Sequence, residues 1–165
     1  MFRRFDFENE VYATLELVPI SVRRKLDLAG VKLHLNQWQA LSRTERLVVC
    51  HFPAASSEEC EVLAAFLAEA VKRCTSEELS TVPPAQDTAA DADHMPPEVA
   101  RLVSELQLNG ENWSRRFDPD ERYALAKLTR GPADRFVRAW SAFTQMATTV
   151  NSRPGAAQNR QEKAQ

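Results

Sequence analysis

Over residues 58–74 the apolar positions Leu63, Phe66, Leu67, Ala70, Val71 and Cys74 recur at the i, i+3, i+4, i+7 spacing of one helical face. That spacing predicts a helix, capped by Ser57, whose apolar stripe is buried against other elements. A second stripe, Phe136, Trp140, Phe143 and Ala147, predicts a helix that follows Gly131-Pro132 and ends near Val150. Val11, Leu15 and Val18 suit a helix that must stop before Pro19, because the proline ring disfavours helical backbone in the preceding residue. Val31-Lys32-Leu33-His34-Leu35 alternates as a strand does, and Phe5 and Phe7 alternate with charged residues over a shorter run. An isolated pair of such strands is marginal, so both segments are read as extended connectors. Periodicity disappears over 76–95, where Pro83-Pro84 and scattered Asp and Ala predict a flexible acidic linker. From Asn151 to Gln165 nothing apolar exceeds alanine, which predicts a disordered tail.

Set side by side, two stretches of the pattern match. Val31 to Trp38 aligns without gaps on Leu106 to Trp113, and after one inserted residue Leu41, Glu45 and Arg46 fall on Phe117, Glu121 and Arg122. The copies run over about 19–52 and 96–128 and begin at Pro19 and at Pro96-Pro97, where proline suits a first helical turn. Short helices are expected over Val22–Leu28, with Gly30 as left-handed cap, and over Val99–Leu106. Ser42-Arg43-Thr44-Glu45 and Asp118-Pro119-Asp120-Glu121 each precede an apolar run and read as capping boxes. They open helices over about 43–52 and 119–129. The expectation is therefore an all-α fold: one compact helical domain over 1–150, built from two divergent copies of a short-helix repeat, then the tail.

Charge and chemistry narrow the function classes. The net charge is −2, yet residues 58–95 carry nine acids against two bases and residues 115–165 ten bases against five acids. The two regions can attract each other or meet a partner of mixed charge, while a total so near zero argues against nucleic-acid binding. Basic clusters at Arg23-Arg24-Lys25 and Arg115-Arg116 invite a helix-turn-helix reading, but no recognition helix rich in Arg, Asn and Gln accompanies them. No apolar run approaches the roughly 20 residues of a membrane span, and the start, Met1-Phe2-Arg3-Arg4-Phe5-Asp6, is not an apolar signal segment, so a cytoplasmic protein is expected. Cys50, Cys60 and Cys74 are too few and too irregular for a disulfide framework. His34, His51 and His94 lack ligand spacing, Cys50-His51 are adjacent and unspaced, and with 4 Gly there is no phosphate-cradling loop. No nucleophile elbow or catalytic signature surrounds any serine or cysteine. The expectation is no enzyme activity, no metal and no cofactor. Trp38 and Trp113 read first as core residues and second as partner contacts.

The residues that carry the pattern also carry a resemblance. Phe5-Asp6-Phe7-Glu8, Val18-Pro19, Val22-Arg23-Arg24-Lys25-Leu26-Asp27, Gly30-Val31-Lys32-Leu33, Trp38 and Ser42-Arg43-Thr44-Glu45-Arg46 resemble the nitrate reductase associated protein family. The likeness continues through Pro96-Pro97-Glu98-Val99, Trp113 and Glu121-Arg122-Tyr123-Ala124-Leu125-Ala126-Lys127-Leu128, and covers about residues 2–130. Ala29 stands where a cysteine is expected in cyanobacterial members, and residues 131–165 extend past the resemblance. The resemblance implies an accessory protein required for assimilatory nitrate reductase activity, acting by binding the reductase or aiding its maturation, with no catalytic residues to transfer. Its partner surface would draw on Arg23, Arg24 and Lys25, on Trp38 and Trp113, or on the acidic stretch 58–95. The alternative is a regulatory ligand- or protein-binding helical module unrelated to the reductase, which a sizeable pocket between the copies would favour. A third reading, an enzyme, needs convergent titratable groups such as His51 near Cys60 or Cys74.

Overall fold

The computed structural model describes residues 2–84 and 94–151, with 146–151 given by their backbone only. The chain is mostly helical, as the periodicity predicts. A 3-10 turn at Asp6–Glu8 leads into α1 (Asn9–Thr14), followed by α2 (Ile20–Leu28), β1 (Val31–Lys32), α3 (Leu35–Ala40), α4 (Arg43–His51), α5 (Ser57–Thr75) and β2 (Ser80–Thr81). Then come α6 (Pro97–Glu105), α7 (Trp113–Arg116), α8 (Pro119–Leu128) and α9 (Ala133–Asn151).

Both expected capping boxes form. The Ser42 hydroxyl accepts the Glu45 N–H at 3.3 Å while the Glu45 carboxylate accepts the Ser42 N–H at 2.8 Å. Asp118 and Glu121 repeat the exchange at 2.9 and 3.0 Å, with Pro119 at the first helical position of α8. A third box opens α5. Its cap is Ser56, one residue earlier than expected, because Glu59 is placed to accept from the Ser56 N–H at 3.1 Å.

Three expectations are corrected. α1 ends at Thr14 and does not approach Pro19: Leu15 adopts φ 55 and its N–H closes on the Val11 carbonyl at 2.7 Å. Burial of the Leu15 side chain, 1% exposed, stabilises a left-handed backbone that leucine otherwise disfavours. Val31–Lys32 is not a bare connector, since it pairs antiparallel with Ser80–Thr81, Val31 opposite Thr81 and Lys32 opposite Ser80. Gly30 makes this possible: it caps α2 at φ +64, and a Cβ there would sit 2.6 Å from the Val82 carbonyl. Finally, Trp38 and Trp113 lie on short helices, α3 and α7, that periodicity did not reveal. Of the expected linker, 85–93 lies outside the described residues, as does the expected tail from 152 onward.

The buried side chains form two cores. The first gathers Leu15, Val18, Val22, Leu26, Val31, Trp38, Leu41, Val49, Leu63 and Leu67, with the apolar stripe of α5 as its floor. The second gathers Phe5, Ile20, Val99, Trp113, Phe117, Leu125, Phe136, Trp140 and Phe143. Helix α2 is the wall between them, sending Val22 and Leu26 to one side and Ile20 to the other. It packs along α8, where the two halves meet.

Candidate functional site at the junction of the halves

The three consecutive bases of α2 cannot share one face, because successive residues are turned by about 100° around a helix. Each therefore has its own surroundings. Lys25 is half-buried and its ammonium donates to the Cys50 and Phe52 carbonyls, both at 2.7 Å, which satisfies acceptors left open at the end of α4. Burial lowers its pKa, and the nearby Cys50 and Asp120 only partly oppose that. Arg24 crosses the junction to Asp120 at 2.9 Å. Arg23 is exposed and donates through Nε to the Val18 carbonyl at 3.1 Å. Asp27, one turn on, accepts from the Tyr123 hydroxyl at 2.6 Å and from Lys127 at 2.7 Å. On the far side Arg3 reaches Glu121 at 2.7 Å and Asp118 at 3.1 Å. The ion pairs across the junction thus join the N-terminal segment and α2 to α8, and the acids of α5 take no part in them.

Trp38 and Trp113 are placed in the two cores, 0% and 4% exposed. The Trp38 indole N–H donates to the Leu15 carbonyl at 2.8 Å, whereas the Trp113 indole N–H is buried with no hydrogen-bond partner among the described residues.

Two clefts flank α2. One, of about 950 Å³, is lined by Arg3, Arg24, Lys25, Asp120 and the first turn of α5, including Glu59 and Cys60. Its cations are engaged with Glu121, Asp120 and the α4 carbonyls, so its polar groups hold the fold together. The other, of about 580 Å³, has a floor of Val18, Ile20, Leu26 and Val31, with Arg23, Lys32, Lys127, Arg130 and Arg135 around it. A third, of about 520 Å³, lies between Phe2, Tyr12, Arg43 and His51.

Sequence reasoning missed Glu8, which lines the second cleft while being 3% exposed. Its carboxylate accepts from the Ile20 N–H at 3.2 Å and from the Tyr12 hydroxyl at 3.2 Å, and Tyr12 in turn accepts from the Phe5 N–H at 2.9 Å. Burial raises the Glu8 pKa against these bonds. The group closes the first turn of α2 and anchors the N-terminal segment. No periodic signal announces it, because Asp6-Phe7-Glu8-Asn9-Glu10 reads as a solvated run.

Nothing in these clefts converges as a catalytic set. Cys50 is buried and burial pushes its thiol to about 11, which keeps it protonated and inert as a nucleophile. Cys60 is also raised by burial. His51 lies against Phe2 with the rings tilted and their centroids 5.2 Å apart, and among the described residues it is not gathered with a carboxylate and a thiol. Among the described residues no three His, Cys, Asp or Glu side chains are grouped to hold a metal ion, and no helix is long and apolar enough to cross a membrane.

A family described as conserved nitrate reductase-associated protein matches residues 4–145. The match runs through most of α9, so this helix belongs with the rest of the chain and is not an extension past residue 130. No curated protein and no solved structure matches.

Proposed function

The chain belongs to the conserved nitrate reductase-associated protein family, and from that membership we propose that it is a non-enzymatic accessory factor. It binds assimilatory nitrate reductase, or an intermediate in that enzyme's maturation, through protein–protein contacts in the cytoplasm. The family description carries this reading, since it links these proteins to the reductase without making them the reductase. The junction chemistry supports it: its titratable groups are paired with one another or with helix ends, an arrangement that holds a shape for recognition and offers no poised acid, base or nucleophile. A ligand-binding regulatory module is the second reading, favoured by the size of the clefts, which lie within the range of about 300–1,000 Å³ common for small-molecule sites.

The reading of the fold as two divergent copies in one domain draws support from the arginines after each capping box. Arg46 donates to the Leu41 carbonyl at 3.0 Å and the Gln39 carbonyl at 2.8 Å. Arg122 donates to the Phe117 carbonyl at 2.5 Å and the Ser114 carbonyl at 3.0 Å. In the alignment Leu41 and Phe117 correspond, and each arginine ties its helix to the preceding short one.

The test is affinity capture of the tagged protein from native cells grown on nitrate, with reductase activity measured in a deletion strain. Co-purification of the reductase and a fall in its activity without this protein are expected. Full activity in the deletion strain together with no captured reductase would remove the accessory reading and leave the ligand-binding one.

A further inference from the structure

The cleft of about 580 Å³ differs from its neighbours in the state of its charges. In the larger cleft Arg3, Arg24 and Lys25 all have partners, and in the third Arg43 donates to the Ala13 and Thr14 carbonyls while Arg4 lies over the Tyr12 ring. Here Lys127 is held by Asp27, but Arg23, Lys32, Arg130 and Arg135 are exposed and form no ion pair among the described residues. The acids present offset them only in part: Asp27 is occupied by Lys127 and Tyr123, and Glu8, buried beneath Tyr12 and the α2 N-terminus, attracts Arg23 and Arg135 without forming an ion pair with either. The four cations come from α2, β1, the α8–α9 turn and α9, so folding gathers them; a solvated helix face would supply such a cluster from one element. They surround an apolar floor, and Leu17 and Leu35, each 46% exposed, form apolar lips. A cationic rim of this kind, in a chain whose net charge is −2, is complementary to negative charge carried by a partner with an apolar anchor.

We propose that this groove docks an acidic segment of a partner protein, with a leucine-sized side chain seated between Leu17 and Leu35 and its carboxylates facing Arg23, Lys32, Arg130 and Arg135. The inference adds a surface and a partner chemistry to the accessory reading and stands or falls separately from the identity of the partner. An acidic peptide fits better than a nucleic acid, since the floor and lips are aliphatic and offer no ring for a base to stack on.

The direct test is fluorescence anisotropy on the full chain with a labelled Glu-Glu-Leu-Glu-Glu-Leu-Glu-Glu peptide, beside one with Ser in place of Leu and one with Gln in place of Glu. The expected result is saturable binding of the first, weakened by salt and weakened several-fold by either replacement. A doubly substituted Arg130→Glu, Arg135→Glu chain, altered at two exposed positions, should keep its melting temperature and lose affinity by about tenfold or more. Leu35→Ser gives a second, charge-neutral loss. No saturable binding by the wild type, or equal binding by a folded R130E/R135E chain, overturns the proposal. So does tighter binding of a DNA duplex than of the peptide, or light scattering that shows a dimer which R130E/R135E dissociates. If the peptide fails to bind while wild type captures the reductase, the groove is wrong and the accessory reading stands. If the peptide result holds while no reductase is captured, the groove stands and the accessory reading fails.

Discussion

Trp38 and Trp113 each sit on a short helix a few residues ahead of a boxed N-terminus, yet the cores around them are made of different material. Around Trp38 the packing is aliphatic, with Leu15, Leu41, Leu63 and Leu67 fully buried and the indole N–H donated to the Leu15 carbonyl. Around Trp113 it is aromatic: Phe117 and Trp140 have centroids 4.9 Å apart, Phe136 and Trp140 5.8 Å, Phe5 and Phe143 5.3 Å, and the Trp113 N–H has no partner among the described residues. The polar scaffold agrees between the halves and the apolar filling does not. Hydrogen bonds at a helix start are directional and demand particular side chains at particular offsets, whereas apolar burial asks mainly for volume. A sequence can therefore replace leucines with phenylalanines around a fixed set of caps and arginine-to-carbonyl ties without changing the local backbone plan.

The severest way to break this comparison is to remove each indole. Trp38→Ala and Trp113→Ala should each cost about 3–5 kcal/mol in urea unfolding at unchanged slope, Trp38 toward the upper end because it also loses a hydrogen bond. Midpoints near wild type for either would mean that its core does not depend on the ring. Next in size is the tie between the halves. Asp27→Ala removes the partner of both Tyr123 and Lys127 and should cost about 1–3 kcal/mol after allowance for its partial exposure. Tyr123→Phe, which loses a single bond, should cost less, and the reverse order would place the tie in Tyr123's packing and not in the carboxylate. Smaller again is the contrast between Trp38→Phe and Trp113→Phe. The first loses a bond to a carbonyl and the second removes an unpaired buried donor, so Trp38→Phe should be the more costly by about 1 kcal/mol, read as the difference in thermal unfolding free energy. Equal costs would show that the Trp113 N–H finds a partner in solution.

Much of the scaffold was legible because its signals are local. Ser42 with Glu45, Asp118 with Glu121, the prolines at 19, 96 and 97, and Gly30 all act within a turn of themselves, and each appears where the pattern puts it. What was illegible depends on residues far apart. Val31–Lys32 becomes a strand because Ser80–Thr81 returns to it, and α3 and α7 are too short to show a period. The early stop of α1 rests on the burial of Leu15. The basic triplet of α2 looked like one surface, yet helical turn and neighbouring elements send Lys25 to carbonyls, Arg24 to Asp120 and only Arg23 toward the open groove. The groove's remaining cations, Lys32, Arg130 and Arg135, have no common sequence signal because three other segments supply them.

The finest division between the halves is electrostatic. Glu45 and Glu121 hold the same place in their capping boxes, and each also takes an arginine from a distant segment, Arg73 for Glu45 and Arg3 for Glu121. Hydrogen bonds from Ser42 and Arg73 hold the Glu45 carboxyl at about 2, below its ordinary 4.5, while burial raises Glu121 despite its backbone bond from Asp118 and its pairing with Arg3. The signs oppose. A depressed carboxylate contributes stability that is present above its ordinary pKa and is lost as the pH falls through the folded value. A raised one contributes stability that is present below its ordinary pKa and is lost as the pH rises through the folded value. The stability of wild type relative to Glu45→Gln should therefore grow from about pH 2 to about pH 5 and then level off, and that relative to Glu121→Gln should hold below the ordinary 4.5 and shrink as the pH rises above it, both followed by urea unfolding. Each slope is small, since Arg73 is largely exposed and water screens its pair with Glu45. Parallel slopes of the Glu45 sign would mean that Arg3 and the Asp118 N–H outweigh the burial of Glu121, which would make the two boxes electrostatic equivalents and confine the difference between the halves to their apolar cores.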